Sequence, residues 1–193
     1  SDLHFSFPVI KKSPTTTCNE YLQDWQSMLR SSLYFDFDDW LETMGADNKQ
    51  AIITEAETDN IIDQMSLSSY EGGRKVMIVW LPEKMNAPSA NNMLKILEEP
   101  SEGTVFILVS NDTSNILSTI ISRTQNIQFR ALSSNVVADA LVERNALDTD
   151  MALQMARLSG GSYLKALRLI NVGNDSNTFY NCFTELMRSA YAR

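Results

Sequence analysis

Residues 75–110 read KVMIVWLPEKMNAPSANNMLKILEEPSEGTVFILVS. VMIVWL (76–81) is a continuous apolar run, the pattern of a strand buried on both faces of a parallel sheet. TVFILVS (104–110) repeats it and predicts a second buried strand. Between them Ala87, Ala90, Met93, Leu94 and Leu97 recur at helical spacing, so a helix is expected over 86–98, ended by Pro100. Strand, helix and strand in that order imply a parallel sheet joined by right-handed crossovers, hence an α/β fold.

The pattern extends in both directions. Upstream, LHFSFPVI (3–10) reads as a strand closed by Lys11-Lys12-Ser13-Pro14, and SPTTTCN (13–19) as a loop. EYLQDWQSMLRSSLYF places Tyr21, Trp25, Met28 and Leu29 on one helical face. DFDDWLETMG offers Asp36 or Asp38 as an N-cap and Gly45 as a stop. AIIT (51–54) is a short strand candidate, 57–66 a helix and YEGGRK (70–75) a turn. Downstream, a short helix is expected around 114–121 and a strand at NIQFR (126–130). After Ala131 only helical patterns follow. SSNVVADALVERN, DTDMALQMARLSGG and SYLKALRLINVG are amphipathic, with Gly160-Gly161 ending one helix and Ser162 capping the next. A further helix is expected over NTFYNCFTELMRSAYAR, the end of the sequence. Domain boundaries are therefore expected near 131–134 and 173–177.

Composition restricts the function. Of 193 residues, 44% are hydrophobic and 21% charged, which is ordinary for a globular chain. The net charge is -8, from 24 acidic and 16 basic residues, and this argues against broad binding to a phosphate backbone. No apolar run approaches the ~18 residues of a membrane span, and the first residues lack the features of a signal peptide. Cys18 and Cys182 fit no metal-ligand spacing and are expected to be free thiols in a reducing cytosol. The abrupt opening in a strand points to a piece of a longer protein.

MLKILEEP (93–100), FILVSND (106–112) and SRT (122–124) follow one another with gap-free spacing. In this order they resemble the core of the AAA+ clamp-loader subunits of bacterial DNA polymerase III, with their LLKxLEEP helix, following strand and S-R-C motif. The resemblance continues through GGSYLKAL and covers at least residues 75–173. It implies an incomplete AAA+ parallel-sheet domain at 1–131, in which 11–50 is an insertion. A three-helix lid at 132–173 and the start of a C-terminal collar at 174–193 would follow.

Motor subunits of this family carry an Asp-Glu pair that organises magnesium at the end of the third strand. Trp80 and Leu81 stand at those positions here, and Glu83 is displaced by two residues with Pro82 between. No G-x-x-x-x-G-K-[ST] phosphate loop occurs in the sequence, and Leu164 stands where motors place the lid arginine. The combination resembles the non-hydrolysing delta-prime branch. By that resemblance the chain is a stator rather than an enzyme in itself, supporting sliding-clamp loading in DNA replication. It implies that Arg123 is an arginine finger offered in trans to a neighbour's ATP, with Ser122 in support. The motif departs from the family at Thr124, which replaces a cysteine without removing charge. The implied partners are the gamma/tau motor subunits and the delta subunit, and indirectly the sliding clamp and primer-template DNA, in the cytoplasm and without a membrane. No cofactor is expected within the sequence, since the four-cysteine zinc module of delta-prime relatives would precede residue 1. The alternative is a fragment of an ATP-hydrolysing motor whose phosphate loop lies outside the sequence.

Plainer readings stand beside these. Arg123 by position alone is a solvated cation at a helix C-terminus, and Ser122 either orients it or caps the turn, the cap being favoured. The DFDD cluster (36–39) reads as first-turn acids rather than oxygen ligands for a metal. His4 has no partner acid or nucleophile nearby in sequence. Glu98 and Glu99 read as a structural corner pairing with Lys95 at i+3 or i+4. Ser110 and Asn111 occupy the place of a gamma-phosphate sensor and are expected to be a vestige.

Overall fold

The computed structural model describes residues 2–46, 49–67 and 73–171. The chain divides into two compact units, the first ending at Ile127 and the second beginning at Gln128. The expected helix 176–193, the collar and the first half of the 70–75 turn lie outside the described residues.

In the first unit, β1 (Leu3–Ser6), β4 (Lys75–Trp80) and β5 (Thr104–Val109) form a parallel sheet in the order β1-β4-β5. The single strand expected over 3–10 is in fact two. Beyond Phe7-Pro8, β2 (Val9–Ile10) leaves that sheet and pairs antiparallel with β3 (Ala51–Ile52). Pro8 has no N–H to continue a ladder, and its carbonyl instead accepts the Trp40 indole N–H at 2.7 Å.

The parallel sheet carries different layers on its two sides. Met77 and Val79 of β4 point into a core with Ile61 and Met65 of α3 (Glu55–Ser66) and Met93 and Ile96 of α4 (Ala87–Glu98). Trp80, the next residue along β4, packs on the other side. There α1 (Leu22–Ser31) and α2 (Phe37–Thr43) supply Trp25, Met28 and Trp40 to a core shared with Phe7, Val9 and Tyr21. Phe7 stacks on Trp25 with ring centroids 4.2 Å apart and meets Trp40 edge-on at 5.1 Å. Most of the 11–50 segment is thus folded around one aromatic cluster. Asp36 is the cap of α2: its carboxylate accepts the Asp38 and Asp39 amides while Asp39 bonds back to the Asp36 N–H. The DFDD acids are accordingly spent on a helix start.

Two expectations for the sheet are corrected. β5 is covered on one face only, with Phe106 and Leu108 packed inward and Val105, Ile107 and Val109 exposed. It lies at the sheet edge with nothing among the described residues of its unit over that face, so an uninterrupted apolar run did not signal double coverage. NIQFR (126–130) forms no strand. No neighbouring strand takes its hydrogen bonds, and Ile127 and Phe129 are exposed.

The second unit holds α6 (Ser134–Asn145), α7 (Thr149–Leu158) and α8 over 163–171, with α5 (Ser118–Ile121) belonging to the first unit. Val137, Leu141, Ala152, Ala156 and Ala166 form its core. Gly160 and Gly161 both take positive φ, and Ser162 accepts the Lys165 amide as the cap of α8.

Candidate functional site

The end of β4 is where the resemblance drawn from the sequence would put the acid pair of a motor subunit. Trp80 there has its ring 5.3 Å from Trp25, 5.4 Å from Phe35 and 6.5 Å from Phe37. An indole in an aromatic cluster neither ligates a cation nor activates water. Leu81, at the second acid position, is buried and left-handed at φ 57°, with its amide bonded to the Val109 carbonyl at 2.8 Å. A branched-chain residue in that region is uncommon and costs energy. Glu83 turns away from both positions: its carboxylate accepts the Asn111 amide at 3.0 Å. The residues present do not fit a magnesium site, and no group of acids, histidines and cysteines among the described residues could hold a metal.

Next to this end lies the loop of Ser110 to Asn115. Ser110 accepts the Asp112 amide, and Asp112 accepts from the Ser114 hydroxyl and amide. Those bonds, the hydroxyl's first, hold the Asp112 carboxyl below its ordinary range. The Ser110 hydroxyl is thus engaged in shaping its own loop.

α5 has one turn, anchored by buried Ile120, and the SRT motif ends it. Its last carbonyls would lack intrahelical partners, and side chains of the motif take them up. The Thr124 hydroxyl reaches the Ile120 and Ile121 carbonyls at 3.2 and 3.1 Å. The Ser122 hydroxyl donates to the Thr119 carbonyl at 3.0 Å, which makes it a cap. Arg123 donates from Nη1 to the same carbonyl at 2.9 Å, and its Nη2 meets Glu98 Oε1 at 2.5 Å. The arginine side chain is 35% exposed, so part of the guanidinium faces solvent while two of its donors are fixed.

The Glu98 pairing expected with Lys95 is replaced by this ion pair. Lys95 bonds instead to the Asn92 side chain at 3.3 Å. The ion pair between Arg123 and Glu98 was missed in the sequence, because local spacing ranks the near lysine above an arginine brought in by the fold. The signal was present in the two motifs themselves, since LEEP ends α4 and SRT ends the helix packed on it. His4 is half-buried on β1, in register with Met77, and takes no part in the site.

A family model described as DNA polymerase III, delta subunit, matches residues 17–133, more than half of the chain. The chain belongs to that family. The match begins at residue 17 and so includes most of the segment read as an insertion. The chain is 33% identical over 106 residues to DNA polymerase III subunit delta' of Bacillus subtilis, covering 55% of this chain and 31% of the relative. It is 41% identical over 106 residues to the Pseudomonas aeruginosa subunit of the same name, covering 53% and 31%. DNA polymerase III subunit tau of Escherichia coli is also similar, at 30% over 118 residues, or 58% of this chain and 18% of tau. The chain therefore spans 31% of the length of these two delta' relatives. Among solved structures, the RuvB Holliday junction branch migration motor of Thermotoga maritima superposes with a TM-score of 0.51 at 15% identity. That match covers 67% of this chain and 45% of the motor, and concerns the fold alone. The chain is delta-prime-like, with a parallel α/β fold shared with that motor.

Proposed function

We propose that this chain is part of the non-hydrolysing stator of the DNA polymerase III clamp loader, and that it presents Arg123 to ATP bound by a neighbouring subunit. The observation that carries the reading is the contrast between two positions in one unit. The metal-organising position is filled by Trp80 inside an aromatic cluster, while Arg123 stays half-exposed on a firmly capped turn. A subunit built this way has no chemistry of its own at the β4 end and can still act on another subunit's phosphate. A guanidinium suits that task because it is permanently charged and makes bidentate contacts with phosphate oxygens. Its neighbours would be gamma/tau motors and the delta subunit, with the sliding clamp and primer-template DNA downstream, in the bacterial cytoplasm. Among the described residues no helix is long and apolar enough to cross a membrane.

The test is single-turnover ATP hydrolysis at the adjacent motor site, with other sites disabled, in the loader assembled with Arg123→Ala. Fingers in phosphoryl-transfer systems contribute about 10³–10⁵ in rate, so the variant should lose most of the activity at that site while assembling normally. Unchanged hydrolysis would return Arg123 to a helix-end cation. The similarity to tau supports the second reading, a motor fragment; tight Mg-ATP binding by the full-length subunit alone would favour it.

A further inference from the structure

We infer that Glu98 is a positioning residue for Arg123: it holds the finger's guanidinium in place on the subunit, so that the remaining N–H donors are presented rather than searched for. This role presupposes that Arg123 is the finger.

The geometry supplies the argument. An arginine on a surface turn has several freely rotating bonds, and fixing it at the moment of reaction costs side-chain entropy. Here two acceptors from different helices fix it beforehand. The Thr119 carbonyl takes Nη1 at 2.9 Å, and Glu98 Oε1 takes Nη2 at 2.5 Å. Each uses one N–H of a group that carries several on a planar fork, and the side chain remains 35% exposed. The backbone that carries Glu98 is anchored, since Ala90, Met93 and Ile96 of α4 are buried. The Thr119 carbonyl is shared with the Ser122 hydroxyl, so the motif's serine and arginine are tied to one atom. Two acceptors on a group of five N–H donors leave further donors for a phosphate. The pair is also half-exposed, and therefore weak enough to steer the arginine without competing strongly for it.

The expected effect is modest, because exposed ion pairs contribute a factor of about 1.4 to 5. In the assembled loader, Glu98→Ala should slow single-turnover hydrolysis at the adjacent site by about two- to fivefold, with the KM for ATP unchanged. Glu98→Gln keeps an acceptor oxygen without the charge and should lie between wild type and Ala. In an Arg123→Ala background, Glu98→Ala should have no further effect. A partner-free readout is the Arg123 Nε–H order parameter by NMR in the full-length subunit alone, which should fall in Glu98→Ala. An unchanged order parameter, or hydrolysis that is equal or faster in Glu98→Ala while Arg123→Ala is slow, overturns the positioning role and leaves the finger standing. Unchanged hydrolysis in Arg123→Ala overturns both.

Discussion

Glu57 is a carboxylate with almost no access to water, 1% exposed at the start of α3. Its Oε2 accepts the Cys18 amide at 2.8 Å, which ties the 13–21 segment to the helix. Burial pushes its pKa up, and the bonds from Cys18 only partly offset this. Burial, then the Glu57 charge, raises the Cys18 thiol as well, so it stays protonated and inert as a nucleophile. A carboxyl raised in the folded state binds its proton more tightly there than in the unfolded chain. Its contribution to stability is therefore fully present below the ordinary carboxylate range and is lost as pH rises through the raised value. Glu57→Gln retains an oxygen for the Cys18 amide and has no charge to bury. Its urea midpoint should gain on that of wild type as pH rises from mildly acid to neutral; a constant difference would refute the assignment. None of this was legible in the sequence, where Glu57 reads as a first-turn helix acid. The SRT motif stands out in the sequence because it belongs to a long, ordered pattern, whereas burial and ion-pair choice depend on residues far apart in the chain.

Elements whose signals are local were the legible ones. α4 begins at Asn86, whose side chain accepts the Ser89 amide, and stops before Pro100, within a residue of the expected span. α2 has its Asp36 cap and its stop at Gly45, which takes φ 64°. Elements defined by their partners were not legible. The 3–10 run divides at Pro8 because two different sheets claim its halves, and 126–130 has strand-like residues without a strand beside it. The Gly160-Gly161 stop shows how much a local signal can hide. Gly161 takes φ 87°, and a Cβ there would lie 2.4 Å from the Leu132 carbonyl oxygen and 2.9 Å from the Ala131 side chain. The Leu132 amide also donates to the Gly161 carbonyl at 3.2 Å, so this glycine is where the segment leading into α6 crosses the α7–α8 turn. Gly161→Ala should cost more than about 1 kcal/mol, because strain at positive φ is added to a backbone clash. Thermal unfolding of the variant checks it; a melting point within error of wild type would mean that the close approach relaxes freely.

Two hydrophobic cores lie on the two sides of the first unit's sheet, and a third is confined to the second unit. In the second unit the core draws Val137 and Leu141 from α6, Ala152 and Ala156 from α7 and Ala166 from α8. What composition could not convey is how differently the cores are built. The α1–α2 side is aromatic, with Trp25 touching Phe7, Phe35, Trp40 and Trp80. The α6–α8 core is mostly alanine around Val137 and Leu141, both fully buried. Leu141 is fully buried in that cluster, against which partly buried Leu147, Leu153, Met155, Tyr163, Leu167 and Ile170 pack. Leu141→Ala leaves a cavity that such neighbours fill only in part, at a cost of about 2–5 kcal/mol. The loss should be local if the core belongs to its own unit. Hydrogen exchange should then show faster amides throughout α6, α7 and α8, with β4 and β5 protected as in wild type. Equal acceleration in the sheet strands would mean that both units unfold as one cooperative body, and the separate helical core would then have no stability of its own.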